Sequence, residues 1–243
     1  MTTTRRRIRL SQNFLRSPQL AHRLVEASSI GSGDIVIEIG PGGGALTRAL
    51  ASRCHQVVAI EQDPQLALRL SRRLASTDPV LIYQADFLCL PLPSTPYKVF
   101  ANIPFSRSAE IITKLTRDPN PPEEAFLFLQ RETAERCLGM PRESLFSMML
   151  HPWFEMEILH HFRRDDFVPE PSVSVVLLRF SKRGPPEIAP SDAQLYRDFM
   201  VAAFSEWRRT IRFLTDAGTT GETLGKVLGK EGIRPWHKPS ELS

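Results

Sequence analysis

The run Ile35-Val36-Ile37-Glu38-Ile39-Gly40-Pro41-Gly42-Gly43-Gly44-Ala45-Leu46-Thr47 decides the fold. Its first five residues are apolar and β-branched at four positions, the composition of a strand buried in a parallel sheet. The strand breaks at Gly40, and from Ala45 to Ser52 the spacing is helical. Strand, glycine loop and helix in that order predict a βα unit. Its backbone can approach a ligand closely, and its helix N-terminus offers unpaired N–H groups to an anion or carboxylate. A turn made for geometry alone needs fewer glycines.

Working outward, the strand Val57-Val58-Ala59-Ile60 ends at Glu61, about 20 residues after the first glycine, where a doubly wound fold places the acid that binds ribose hydroxyls. The helix Pro64 to Leu74 returns the chain. A third strand, Val80 to Tyr83, leads to Asp86-Phe87, a carboxylate suited to an adenine amine beside a ring suited to the base face. Asp86 also reads as a turn or helix-capping residue. The fourth strand, Lys98 to Ala101, delivers Asn102-Ile103-Pro104-Phe105 to the same carboxyl edge, where open α/β sheets bind ligands. Helix Ala109 to Leu115, strand Phe126 to Leu129 and helices Glu132 to Leu138 and Ser144 to Leu150 continue the alternation.

Two late runs, Met156 to His161 and Val173 to Phe180, predict a terminal antiparallel pair, joined through Phe167-Val168-Pro169-Glu170-Pro171-Ser172-Val173. Two prolines two apart make that loop stiff and extended. Beyond Gly184-Pro185-Pro186 the apolar spacing is helical and no strand signal returns. The expected organisation is an α/β domain over residues 1–184 with a basic N-terminal arm, and a small all-helical domain over residues 185–243.

With 42% hydrophobic and 24% charged residues in a chain of 243, disordered and collagen-like classes are excluded. The net charge of +4 and pI near 9.2 permit a polyanionic partner. Arg5, Arg6, Arg7 and Arg9 form one basic cluster; Arg208, Arg209, Arg212, Lys226, Lys230, Arg234 and Lys238 form a second. Cys54, Cys89 and Cys137 have no zinc or redox spacing, and are read as reduced thiols. No apolar run reaches the ~18 residues of a membrane span, and the start lacks a signal core, so a cytoplasmic protein is expected. The six histidines and three tryptophans are read as surface or packing residues.

The glycine loop alone leaves two cofactors open. Gly40-x-Gly42-x-x-Ala45 fits a dinucleotide fingerprint, and Glu38-x-Gly40-x-Gly42-x-Gly44 fits S-adenosylmethionine (SAM). Asp86 after strand three and Asn-Ile-Pro-Phe after strand four favour SAM, since hydride transfer requires neither. Together with Gln12-Asn13-Phe14-Leu15 and the proline loop at 167–173, these motifs resemble the rRNA adenine-N6 methyltransferases. That superfamily includes the Erm enzymes and the KsgA-type small-subunit dimethyltransferases. The resemblance covers about residues 8–181, and the short helical C-terminal domain is also similar. Ile103, Phe105 and Ser11 look like the Erm branch.

The resemblance implies a Rossmann-like class I SAM-dependent methyltransferase sheet, SAM as cofactor and 23S rRNA as partner. It implies methylation of one adenine in the peptidyl-transferase region, with macrolide, lincosamide and streptogramin B resistance. It implies no metal, and the protein is read as a monomer without an obligate protein partner. Asn102 and the Ile103 carbonyl would accept from the target amine, Pro104 would fix the backbone, and Phe105 would stack on the base. Glu61 would hold the SAM ribose, Asp86 and Phe87 its adenine, and Gly40 with Asn102 the methionine end. Asn13 and Leu15 would close over the cofactor. A KsgA-like 16S rRNA dimethyltransferase and a non-catalytic RNA-binding factor are the alternatives.

Overall fold

The computed structural model describes residues 13–74 and 78–205. In chain order they form β1 (Phe14–Leu15), α1 (Pro18–Glu26), β2 (Ile35–Ile39), α2 (Ala45–Ala51), β3 (Gln56–Glu61), α3 (Pro64–Arg73), β4 (Val80–Gln84) and β5 (Lys98–Ala101). There follow α4 (Ser108–Arg117), β6 (Glu124–Gln130), α5 (Arg131–Cys137), α6 (Leu145–Met148), β7 (Phe154–His161), β8 (Phe167–Val168), β9 (Val175–Lys182) and α7 (Ala193–Ser205). Seven strands make one sheet in the order β4-β3-β2-β5-β6-β9-β7, and β1 and β8 make a separate two-stranded sheet.

The pairs β3–β4, β2–β3, β2–β5 and β5–β6 are parallel, and β9 runs antiparallel to β6 with Leu127 opposite Leu178. From β2 the sheet grows one way through β3 and β4 and the other way through β5 and β6. The crevice at the carboxyl ends of β2 and β5 is thus the switch point at which open α/β sheets bind ligands. The glycine loop leaves β2 there, and Asn102 leaves β5 there.

Local signals account for the elements. Ser17 accepts from the Leu20 N–H at 3.2 Å and Asp63 from Gln65 N–H at 2.7 Å, and each cap is followed by proline at the first helical turn. The faces of α1, α2 and β2 interlock around Leu24, Val25, Val36, Leu46 and Leu50, all buried. Phe100 stacks on Phe126 at 5.3 Å, and Phe128, Phe162 and Phe167 pack with centroids 4.6 to 6.3 Å apart. At the opposite end of the sheet from the crevice, Lys98 bridges Asp34 and Glu124 at 3.1 Å each, and Arg179 joins Glu124 to Glu157. Burial pushes the Glu124 carboxyl up, but Ser29, Arg179 and Lys98 outweigh it and hold it below the usual carboxylate range.

The described residues divide into two compact units, one of residues 13–74, 78–134 and 156–182, the other of residues 135–155 and 183–205. Residues 135–155, expected within the first domain, therefore group with the C-terminal part. Side chains explain the grouping. Tyr196 on α7 donates to the Met148 carbonyl at 2.8 Å and meets Trp153 edge-on at 5.5 Å, while Arg183 donates to the His151 carbonyl and pairs with Glu155 and Glu187. The helix expected over Ser144 to Leu150 is the single turn α6, closed by a Ser144–Ser147 capping box. The basic arm at Arg5–Arg9 and the helical domain beyond residue 205 lie outside the described residues. Among the described residues no helix is long and apolar enough to cross a membrane.

Candidate active site

Asn13, Phe14, Gly40, Asn102, Ile103, Pro104 and Phe105 line one small cavity, of about 30 Å³, that opens to solvent. Its floor follows from how β5 ends. Ala101 is buried, Ile103 is 2% exposed, and between them Asn102 emerges half-buried. Ile103 anchors the loop while its neighbours line the opening. Pro104 (φ −63°) starts a tight turn over Phe105–Arg107, closed by Arg107 N–H on the Pro104 carbonyl at 3.0 Å and Ser108 Oγ on the Phe105 carbonyl at 3.1 Å. Asn102 Nδ2 donates to the Asn13 carbonyl at 2.6 Å. Its Oδ1 has no hydrogen-bond partner among the described residues and stands ready to accept.

The glycine loop is held against this floor. Gly40 (φ +70°) donates to the Ile60 carbonyl at 2.9 Å, and a Cβ there would stand 3.8 Å from the Asn102 carbonyl. Gly42 (φ +53°) lies directly under the Phe14 ring, which a Cβ would overlap. Left-handed backbone and close approach both demand glycine at this position. Phe14 is carried by β1, whose partner is β8: Phe14 faces Val168, Leu15 faces Phe167, and Arg16 N–H donates to the Asp166 carbonyl at 2.7 Å.

Strand alternation sends neighbouring side chains to opposite faces. Phe14 lines the cavity, and Leu15 enters the hydrophobic core. The structure thus brings Phe14 to the cavity and leaves Leu15, expected to close over the cofactor, in the core, because facing cannot be read from two strand residues.

Three acids stand at or just beyond the carboxyl ends of β2, β3 and β4. Glu38 is 1% exposed, neither of its oxygens has a hydrogen-bond partner among the described residues, and the Thr47 hydroxyl beside it is likewise unpaired. Burial pushes the Glu38 carboxyl up to about 8, with Thr47 beside it opposing the shift and Glu61 adding to it. Glu61 is also buried, accepting from Gly42 N–H at 3.1 Å and Asp63 N–H at 2.9 Å. Burial outweighs those bonds and raises it as well. Asp86 is bound by Arg107 at 2.9 and 3.1 Å and accepts from Leu88 N–H at 3.0 Å, so it caps a turn as well as facing the crevice end of β4. Burial opposes its ionisation, but Arg107 prevails and holds it below its usual range.

These acids fit a cationic, ribose-bearing ligand. Glu38, kept protonated by burial, would lose its proton to best effect beside an ammonium or sulfonium charge, the left-handed glycines leave room for a main chain, and Glu61 and Asp86 stand at the ends of β3 and β4. Glu38 was legible as the acid that opens the Glu38-x-Gly40-x-Gly42-x-Gly44 pattern, and Arg107 carried no signal in the sequence.

Comparison with known proteins gives consistent results. Residues 3–231 match the ribosomal RNA adenine dimethylase family. A Methanopyrus kandleri protein named a probable ribosomal RNA small subunit methyltransferase A is 34% identical over 98% of this chain and 89% of its own length. The ribosomal RNA small subunit methyltransferase A of Syntrophotalea carbinolica is 32% identical over 97% of this chain and 91% of its own. The crystal structure of the 23S rRNA methyltransferase ErmE aligns with a TM-score of 0.83 at 26% identity over 95% of both chains. Both sequence relatives carry small-subunit names, in contrast to the Erm branch expected from Ile103 and Phe105. The fold is that of class I SAM-dependent methyltransferases, and the cofactor is SAM. With the match running over nearly all of its 243 residues, the chain belongs to the ribosomal RNA adenine dimethylase family.

Proposed function

We propose that this protein transfers methyl groups from SAM to the N6 amine of an adenine in the small-subunit (16S) rRNA. The observation that carries the reading is the meeting of Asn102, Ile103, Pro104 and Phe105 with Gly40 in one cavity at the switch point of the sheet. The small-subunit choice is supported by the names of the sequence relatives, which align over most of their own length.

SAM supplies the electrophilic methyl when bound; the chain supplies grip, orientation and dryness. The target base has to leave its stack, and Phe105 offers a ring on which it rests, worth about 1–3 kcal/mol. The adenine amine is a poor nucleophile because its lone pair is delocalised into the ring. Asn102 Oδ1 and the Ile103 carbonyl accept its two hydrogens and favour the pyramidal form. Asn102 is held in that orientation by its Nδ2 bond to Asn13. Holding the reacting atoms in line provides the main rate advantage. Phe14, packed over Gly42, forms one wall of the cavity and reduces its exposure to water. The basic clusters at Arg5–Arg9 and in the helical domain of residues 185–243 contact phosphates, and the enzyme works in the cytoplasm on rRNA before or during subunit assembly.

A 23S reading of Erm type is favoured by Ile103 and Phe105 and by the likeness to ErmE. One experiment separates the readings. Unmethylated 16S and 23S rRNA, free and in their subunits, are incubated with enzyme and methyl-labelled SAM, then digested and analysed by mass spectrometry. N6-methylated adenosine in 16S rRNA is expected. Label confined to 23S rRNA, with macrolide resistance on expression, selects the second reading, and no label in either leaves only an RNA-binding factor.

A further inference from the structure

We infer that Arg107 is a positioning residue for the adenine end of the cofactor: it fixes the Asp86 carboxylate beside the loop that carries Asn102 and Phe105. The inference rests on the reading of Asp86 as the acceptor for the cofactor's adenine amine, and it names what aims that acceptor.

The geometry is specific. One guanidinium nitrogen, Nη1, lies 2.9 Å from Asp86 Oδ2 and 3.1 Å from Oδ1, while Nη2 points to Glu110 Oε2 at 3.6 Å. The Leu88 N–H completes the hold on Oδ1. Oδ2 receives only the one guanidinium bond, and a carboxylate oxygen offers two lone-pair sites, so one site remains for an amine. Arg107 itself ends the turn that begins at Phe105, two residues from the ring proposed to stack on the target base. One side chain therefore spans from the target loop to the cofactor acid.

A second cation completes the arrangement. Lys114, two turns further along α4, donates to the carbonyls of Phe87 and Leu88 at 2.8 and 3.1 Å, reaches Leu90, and stands 4.9 Å over the Phe87 ring. The segment from Asp86 to Leu90 is thus held at its side-chain end by Arg107, just before α4, and at its main-chain end by Lys114 on α4. A carboxylate fastened in this way recognises an amine better than a carboxyl free to rotate, because the orientation is fixed before the ligand arrives. A single nitrogen of the rigid, planar guanidinium reaches both oxygens, and a lysine would keep the charge with less direction.

The test measures binding by calorimetry, using S-adenosylhomocysteine and its inosine counterpart, in which a carbonyl replaces the adenine amine. Wild type is expected to prefer the adenosine form. Arg107→Leu should lose about tenfold in affinity for it, with little change for the inosine form, and Arg107→Lys should restore part of the loss. In turnover the same Arg107→Leu change should appear mainly in the KM for SAM. Asp86→Asn should abolish the preference, and adding Arg107→Leu to it should cost nothing further, as expected for two groups acting as one unit. Circular dichroism confirms that each variant is folded. An intact preference in both Arg107 variants, with Asp86→Asn impaired, overturns the role of Arg107 alone. An intact preference in Asp86→Asn overturns the reading of Asp86, and the inference with it.

Discussion

Asn102 divides its amide between two jobs: Nδ2 is fixed on the Asn13 carbonyl at 2.6 Å, and Oδ1 is left to accept. Asn102→Ala removes both. The lost hydrogen bond costs about 1 kcal/mol of stability, whereas loss of the acceptor should lower methyl transfer by about a hundredfold or more. SAM binding by calorimetry should stay within about threefold of wild type; full transfer by the variant would remove Asn102 from the mechanism. Glu38 supports a different prediction. Its carboxyl, ordinarily near 4.5, is pushed to about 8 by burial, so the folded chain keeps a proton that the unfolded chain releases. Stability from this group is fully present below about pH 4.5 and is lost as pH rises through 8, with a ceiling of a few kcal/mol. Without ligand, Glu38→Gln should therefore gain melting temperature relative to wild type as pH goes from 5 to 8. Parallel melting curves for the two proteins would contradict this. At this scale the sequence was readable where the motif alone sets a residue's place at the crevice, as for Asn102 and Gly40, which line one cavity. It was silent where a partner sets it: Asp86 revealed nothing of Arg107, 21 residues away.

Among the elements, the two-residue strands β1 and β8 hold the N-terminal segment over the crevice across about 150 residues of chain. Their two aromatics, one on the core face and one on the cavity face, have separable roles. Phe167 is completely buried among Phe128 and Phe162, so Phe167→Ala should destabilise the protein by about 3–5 kcal/mol. Phe14 is half-buried over Gly42, so Phe14→Ala should change stability by less than about 1 kcal/mol and yet weaken SAM binding several-fold. Denaturant melts and calorimetry on the pair check this; a Phe14→Ala variant that unfolds as readily as Phe167→Ala would place Phe14 in the core. The parallel strands β2 to β6 were legible because their apolar runs are bounded by glycine, proline and acid. β1 and β8 were not, since two residues have no periodicity and their pairing is long-range. For the same reason the grouping of residues 135–155 with α7 depended on Trp153, Tyr196 and Arg183, contacts that no local pattern announces.

For the molecule as a whole, charge is unevenly placed along the chain. Residues 1–12 and 206–243 contain 11 of the 31 Lys and Arg and 5 of the 27 Asp and Glu, so these segments carry +6 and the remainder −2. Within the described residues, Lys98, Arg107, Arg179, Lys182 and Arg183 are already paired with acids. By net charge the terminal segments thus carry the attraction for phosphates, and the remainder, at −2, brings little net attraction of its own. RNA affinity should fall steeply with salt, with each phosphate contact adding about 0.7 to 0.9 to the log–log slope. Replacing Arg5, Arg6, Arg7 and Arg9 by Ala together should lower that slope by up to about 3 while leaving SAM affinity unchanged. Filter binding to an rRNA fragment from about 50 to 200 mM salt measures the slope. If the quadruple variant keeps the wild-type slope, the arm makes no phosphate contacts, and the load must fall on Arg208, Arg209 and Arg212, which the same titration on their Ala variants would reveal.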